Sequence, residues 1–95
     1  MKYLFNKHYE AIKKRGLIDP FTTVDDFIHK MKEELSEFEE SHSCDEAMDL
    51  ICVCTNYLIH QDHDIKKLLK KNLKHQIKRN EKEHRHNRFI FPENI

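Results

Sequence analysis

The segment from Ala47 to Ile59 constrains the fold of this chain more than any other. It reads A-M-D-L-I-C-V-C-T-N-Y-L-I and is apolar on nearly every side, which predicts the most buried helix of the protein. Successive residues of a helix are rotated by about 100° around its axis, so five side chains of this helix fall on one face, within an arc of about 80°. They are Glu46, Asp49, Val53, Asn56 and His60. No basic residue lies within four positions of Asp49, and an unpaired buried carboxylate is costly, so we expect a partner from elsewhere, such as a metal ion.

The composition fits a small helical protein. The chain has 95 residues with one glycine and two prolines, which argues against a β-fold rich in tight turns. Charged residues make up 36% and hydrophobic residues 38%, a balance that suits amphipathic helices. A chain of this length has a modest core, so association with further copies is expected. The three cysteines are an odd number and are interpreted as reduced residues of a cytoplasmic protein.

Hydrophobic periodicity predicts an all-α fold, an antiparallel four-helix bundle. The first helix spans about residues 3–15 and ends at Gly16. The second begins after Thr22 or Thr23, which precede Asp25 and Asp26 by three residues, the spacing of a capping box. Its buried stripe is expected to comprise Val24, Phe27, Ile28, Met31, Leu35 and Phe38.

Two further helices complete the expected bundle. Ser43 is predicted to cap the third helix, which ends near residue 61. The fourth follows an aspartate cap, Asp62 or Asp64, and continues to about residue 84. Residues 1–84 are therefore expected to form a single domain. The apolar tail 85–95 is expected to pack on the bundle or on a partner subunit.

Two pairs of carboxylates flank the turn between the second and third helices. Glu34 and Glu37 are three residues apart, so they lie on one face of the second helix. Glu46 and Asp49 have the same spacing on the third. At an effective dielectric of about 20, two like charges about 4 Å apart repel by roughly 4 kcal/mol. A hard cation relieves that repulsion, and all-oxygen ligation suits Mg²⁺ or Mn²⁺, whereas the alternative interpretation is a solvated acidic surface.

The residues around these pairs resemble a known family. The pattern K-x-x-E-E-x-x-E followed by E-x-x-D is similar to the signature of the MazG-like nucleotide pyrophosphohydrolases, in the all-α NTP pyrophosphatase superfamily. In this chain the pattern consists of Lys30, Glu33, Glu34, Glu37, Glu46 and Asp49. The resemblance covers roughly residues 8–80 and includes the segment R-G-L-I-D-P-F-T-T-V-D-D-F-I-H-K. Only eight residues separate Glu37 from Glu46, a shorter connector than is usual in the family.

The resemblance implies a MazG-like bundle that hydrolyses a nucleoside triphosphate at the α–β phosphoanhydride, giving the monophosphate and pyrophosphate. It implies Mg²⁺ as the cofactor, with Mn²⁺ as the alternative ion. The implied metal ligands are Glu34, Glu37, Glu46 and Asp49. Glu33 would orient the attacking water or a second ion, as the implied catalytic residue. For the phosphates we expect Lys30 and Arg79, with Asn72 and Gln76 as neutral donors, and Asn56 could contact the base or sugar. On the fourth helix the chain departs from the family, which tends to have a lysine and an asparagine near the positions of His75 and Gln76.

The resemblance also bears on assembly, and it leaves two other functions open. Members of the family form dimers or dimers of dimers, so a homodimer or a tetramer is implied. Phosphoribosyl-ATP pyrophosphohydrolase, from the same superfamily, uses a similar carboxylate set on another nucleotide. A non-catalytic helical interaction module that keeps the motif as structure is the second alternative.

Charge is distributed unevenly, although the formal net charge is zero. Residues 25–49 hold ten acidic and two basic side chains, whereas residues 66–88 hold ten basic and two acidic ones. The basic helix could face substrate phosphates, bind nucleic acid, or pair its charges with the acidic helices. Of these, we do not expect a nucleic-acid partner. No apolar stretch reaches about 20 residues, so we expect no membrane span.

Overall fold

The computed structural model describes residues 2–83, and in this range it contains four α-helices and no β-strand. The helices are α1 (Lys2–Lys14), α2 (Val24–Ser41), α3 (Cys44–His60) and α4 (Ile65–Glu83). The predicted all-α class and the four helices are therefore confirmed for the described part of the chain. The predicted tail 85–95 lies outside it.

Local interactions explain where α1 ends. Gly16 adopts a φ of +79°, in the left-handed region that glycine enters without strain. The Gly16 N–H donates to the Lys13 carbonyl at 2.9 Å, and the Leu17 N–H donates to the Ile12 carbonyl at 3.3 Å. This pair of bonds is a Schellman motif, which satisfies the last carbonyls of the helix. The predicted stop at Gly16 is confirmed.

Side-chain caps start α2 and α3 where the sequence predicts them. The Thr23 hydroxyl accepts from the Asp26 N–H at 3.2 Å, and the Asp26 carboxylate accepts from the Thr23 N–H at 2.8 Å, which completes a capping box. The Ser43 hydroxyl accepts from the Glu46 N–H at 3.1 Å. His42, with a φ of +55°, ends α2 in a left-handed conformation, so α3 begins almost at once. This abrupt connection sets the two acidic helices beside each other.

The chain divides into two compact units, with the boundary between Ile65 and Lys66. In the first unit, α1 and α2 both pack against α3. Its core centres on Ile18 and Phe27, which are buried. The Phe27 ring lies edge-on to the Tyr57 ring, with centroids 5.4 Å apart, and 5.3 Å from the His60 ring.

The expected burial of the whole α2 stripe is wrong for the structure of the single chain. Val24, Ile28 and Leu35 are 46%, 41% and 45% exposed, although Phe27 on the same stripe is buried. At about 100° per residue these three lie to one side of Phe27, on an edge of α2 that turns away from α3. Met48 and Ile51 of α3 are also about half exposed. Hydrophobic periodicity alone could not tell which edge of the stripe another helix covers.

The second unit contains α4 beyond its first residue. The sequence predicts a buried stripe on α4 that includes Leu69 and Leu73, but these two side chains are 55% and 56% exposed. Asn72 and Asn80 are exposed as well, and Gln76 is half-buried. Within residues 2–83, no helix is both long enough and apolar enough to cross a lipid bilayer.

Candidate metal centre and adjoining cavity

Three carboxylates from α2 and α3 converge in the first unit. Glu34, Glu46 and Asp49 each contribute one oxygen to a cluster in which all three atoms lie within 4.8 Å of one another. Glu34 is buried, Glu46 is half-buried and Asp49 is exposed. The cluster is the meeting point of the E-x-x-E and E-x-x-D segments, as their spacing predicts.

Two oxygens in this cluster lack hydrogen-bond partners within the described residues. They are Oε2 of Glu34 and Oε2 of Glu46, and both are buried. A buried carboxylate oxygen without a donor is costly, because it has lost its water and gained nothing in return. A hard divalent cation supplies the missing positive charge, and a set of carboxylate oxygens is the ligand type that Mg²⁺ and Mn²⁺ prefer. The residues present therefore fit such an ion.

The structure changes the role expected of Asp49. The apolar character of α3 predicts that Asp49 is buried and in need of a partner, but the side chain is exposed. Although it faces Glu34 of α2, it also lines a cavity and stays accessible to water, which is why a helix with so few polar residues tolerates it. The buried oxygens that need a partner belong instead to Glu34 and Glu46.

Glu37 lies at the edge of the cluster. Its side chain is exposed, and it is not one of the three residues whose oxygens converge within 4.8 Å. A hydrogen bond shared with Glu34 raises the pKa of Glu37, and the negative charges of Glu34, Glu46 and Glu33 raise it further. Glu37 therefore interacts with the negative charge of the cluster, although it is not one of its three members.

Lys30 forms an ion pair with both neighbouring glutamates of the motif. Its Nζ lies 3.0 Å from Oε1 of Glu33 and 3.3 Å from Oε1 of Glu34. The hydrogen bond to Glu33, followed by that to Glu34, raises the pKa of Lys30 despite partial burial. Half of the Lys30 side chain is exposed, so the ammonium can leave these partners without a large desolvation penalty.

A cavity of about 530 Å³ adjoins the cluster. Lys30, Glu34, Asp49 and Asn56 line it, so four of the sequence-predicted site residues share one space. Apolar lining residues include Ile12, Ile18, Phe27 and Val53. His8 and Arg15 also line the cavity, although no motif in the sequence indicates them as site residues.

His8 and Asn56 are connected across the cavity wall. His8 Nδ1 lies 3.2 Å from Oδ1 of Asn56, and Asn56 is only 5% exposed. The position of His8 on the apolar stripe of α1 was the only sequence signal for this contact, and it predicts a histidine at the edge of the core. One turn further along α3, the Tyr9 hydroxyl lies 3.0 Å from His60 Nδ1.

Three predicted substrate-binding residues belong to the other unit. Asn72, Gln76 and Arg79 lie on α4, in the unit that begins at Lys66. Their participation in the site stays a prediction.

The three cysteines are free thiols. Burial, together with the negative charge of Asp49, raises the pKa of Cys52, which lines the cavity.

No protein-family model, curated protein or solved structure matches the chain. The chemistry of the site must therefore be inferred from its own residues.

Proposed function

We propose that this protein is a Mg²⁺-dependent nucleoside triphosphate pyrophosphohydrolase of the MazG-like type, which cleaves the α–β phosphoanhydride. One observation carries this assignment: two buried carboxylate oxygens without partners, on Glu34 and Glu46, belong to a three-carboxylate cluster beside a cavity. Such a cluster suits a divalent cation, and the cavity is large enough for a nucleoside. Phosphate groups held near the cluster would then lie next to the nucleoside.

Glu34, Glu46 and Asp49 would hold the ion. Glu37, at the edge of the cluster, would join them as a fourth ligand. When bound, Mg²⁺ would neutralise phosphate charge and make a nearby water more acidic. The exposed Asp49 side of the cluster leaves room for the phosphates, which a fully enclosed site would not.

Lys30 and Glu33 supply the remaining groups for the reaction. A triphosphate would attract the Lys30 ammonium away from Glu33, which now accepts its hydrogen bond at 3.0 Å. The released Glu33 carboxylate could accept a proton from the attacking water. The water oxygen bonds to the α-phosphorus, the bond from that phosphorus to the bridging oxygen breaks, and pyrophosphate leaves with the electron pair. The products are the nucleoside monophosphate and pyrophosphate.

The proposed architecture is an antiparallel bundle. It is supported by the contacts between α2 and α3: Phe27 meets Tyr57 and His60, late in α3. Seven residues further along α2, Glu34 meets Glu46 and Asp49, early in α3. We further propose a cytoplasmic homodimer or dimer of dimers, with Asn72, Gln76 and Arg79 as further substrate-binding residues.

The assignment is tested by measuring pyrophosphate release from a panel of canonical and modified triphosphates with Mg²⁺, with Mn²⁺ and with excess chelator. Metal-dependent release, abolished by Glu46→Gln and retained by Glu40→Gln, is expected. Glu40 is an exposed carboxylate outside the cluster, so it controls for the loss of one acidic side chain. If no triphosphate is cleaved and Mg²⁺ does not raise the melting temperature, the protein is a helical interaction module instead.

A further inference from the structure

We propose that His8 and Asn56 form the base-reading end of the cavity, and that they favour a nucleobase presenting a carbonyl oxygen over one presenting an amine at the same position. This inference rests on the proposed function, because it names the class of nucleotide that the site accepts. His8 acts as a positioning residue that fixes the orientation of the Asn56 carboxamide.

The hydrogen bond between the two side chains determines which atoms of Asn56 remain for a ligand. Asn56 Oδ1 can only accept, so the proton of the 3.2 Å contact is on His8 Nδ1. The carboxamide is thereby held with Oδ1 towards His8. Within residues 2–83 the contact with His8 is the only side-chain hydrogen bond of Asn56. The Nδ2 group of this buried residue therefore keeps N–H donors for an acceptor in the cavity.

The position of Asn56 along α3 matches the length of a nucleotide. Asn56 follows Asp49 by two helical turns on the same face, which corresponds to roughly 10 Å at about 1.5 Å per residue. A nucleotide whose phosphates lie at the carboxylate cluster would bring its base to this depth. Val53 lies between the two on α3, and Phe27 and Ile12 also line the cavity, so apolar surface is present for the faces of a base.

The orientation of Asn56 leads to selectivity. A free asparagine pairs with adenine by donating from its amide nitrogen while its oxygen accepts from the adenine amine. Here His8 already donates to that oxygen, so the group offered to the ligand is a donor. A carbonyl on the base accepts this hydrogen bond, whereas an amine at the same position brings two donors together and leaves both unsatisfied.

The test uses nucleotide pairs in which the base of one member has a carbonyl where the base of the other has an amine. Binding of IMP and AMP, and of UMP and CMP, is measured by calorimetry with Mg²⁺ present. For the wild type we expect the carbonyl member of each pair to bind about tenfold more tightly, the effect of one hydrogen bond. His8→Ala should reduce that ratio towards one. His8→Asn should restore it, because its amide nitrogen occupies the place of Nδ1.

Two further variants separate positioning from general loss of structure. Asn56→Asp, which offers only acceptors, should reverse the preference towards AMP and CMP. His63→Ala, at an exposed histidine outside the cavity, should leave both ratios unchanged. In hydrolysis of the matching triphosphates, His8→Ala should raise KM for ITP more than it lowers kcat.

The failure of this inference is distinguishable from failure of the proposed function. Equal binding of both members of each pair, no binding at all, or a ratio that His8→Ala leaves intact would overturn the base-reading role even if triphosphates are hydrolysed. A His8-dependent preference without hydrolysis of any triphosphate would uphold it and overturn the enzymatic assignment.

Discussion

Glu34 on α2 and Glu46 on α3 each keep one carboxylate oxygen buried without a hydrogen-bond partner in the described chain, although the two side chains belong to the same cluster. The other oxygen of Glu34 lies 3.3 Å from the Lys30 ammonium. One oxygen of the Glu34 carboxylate is therefore paired with a cation of its own helix, whereas the other oxygen has no hydrogen-bond partner among the described residues. Under the proposed function, a divalent cation would supply the partner that Oε2 of Glu34 and Oε2 of Glu46 lack.

Asp49→Asn should nearly abolish activity. The change keeps the size of the side chain but removes one negative ligand, so kcat/KM should fall by about 100-fold or more, at or beyond the loss typical of groups that only support a metal ligand. The melting temperature of the apo protein should rise, because one like-charge repulsion is relieved. Pyrophosphate release and thermal unfolding measure the two effects. Asp45→Asn, one turn earlier and outside the cluster, is the matched control. If Asp49→Asn leaves both turnover and Mg²⁺ affinity unchanged, the cluster is not a catalytic metal site.

Lys30→Ala should raise KM for a triphosphate by roughly tenfold or more and change Mg²⁺ affinity less, because the ammonium contacts phosphate after leaving its glutamates. Steady-state kinetics and metal titration distinguish this from a purely balancing role. Should Mg²⁺ affinity change while the substrate dependence stays the same, Lys30 only neutralises Glu33 and Glu34. Lys32→Ala, at an exposed lysine of the same helix, controls for loss of charge.

The pH dependence of stability should report on Glu37. Its pKa is raised above the ordinary 4.5, so between that value and the folded-state pKa the folded protein binds more protons than the unfolded chain. The free energy of unfolding of the apo protein should therefore fall as the pH rises through this window. Excess Mg²⁺ should oppose the fall.

Glu37→Gln provides the check on that prediction. Its amide can still donate to Glu34 but does not titrate, so the pH slope of the melting temperature above 4.5 should become shallower than in the wild type. Mg²⁺ affinity should decrease at neutral pH. An identical slope in both proteins would show that another group titrates in this range.

The exposed edge of α2 predicts self-association. Val24, Ile28 and Leu35 are each more than 40% exposed, and full burial of such a side chain stabilises by about 1.5–3 kcal/mol. We expect a dimer or larger species in light scattering at micromolar concentration. Leu35→Lys should shift it towards monomer without changing Mg²⁺ affinity, whereas Ser36→Lys on the neighbouring exposed face should not. A wild-type protein that is monomeric and fully active would show that this edge of α2 is not a subunit interface.

Local sequence determined the boundaries of the helices. The Thr23–Asp26 capping box, the Ser43 cap and the Schellman turn at Gly16 each depend on residues at most five positions apart, so their chemistry is readable from spacing. The convergence of the two acidic segments was predictable as well. Because only two residues connect α2 and α3, the two helices are constrained to pack side by side.

The burial of individual side chains was less predictable. The apolar character of α3 predicts that Asp49 is buried. Its exposure depends on its surroundings in the fold, however, and Asp49 lines a cavity. The same reason explains why Leu35 is half exposed although it belongs to a regular stripe. Periodicity specifies a face of a helix, whereas only the neighbouring elements specify whether that face is covered.

By itself, then, the sequence determined the helices, their caps and the two carboxylate pairs, because these follow from interactions within a few turns of chain. Only the tertiary structure decided that Oε2 of Glu34 and of Glu46 are the atoms without partners, and that His8 contacts Asn56, 48 positions away. Contacts of that separation depend on how α1 and α2 pack against α3. Packing is set by the sum of many weak contacts, and no local pattern in the sequence encodes it.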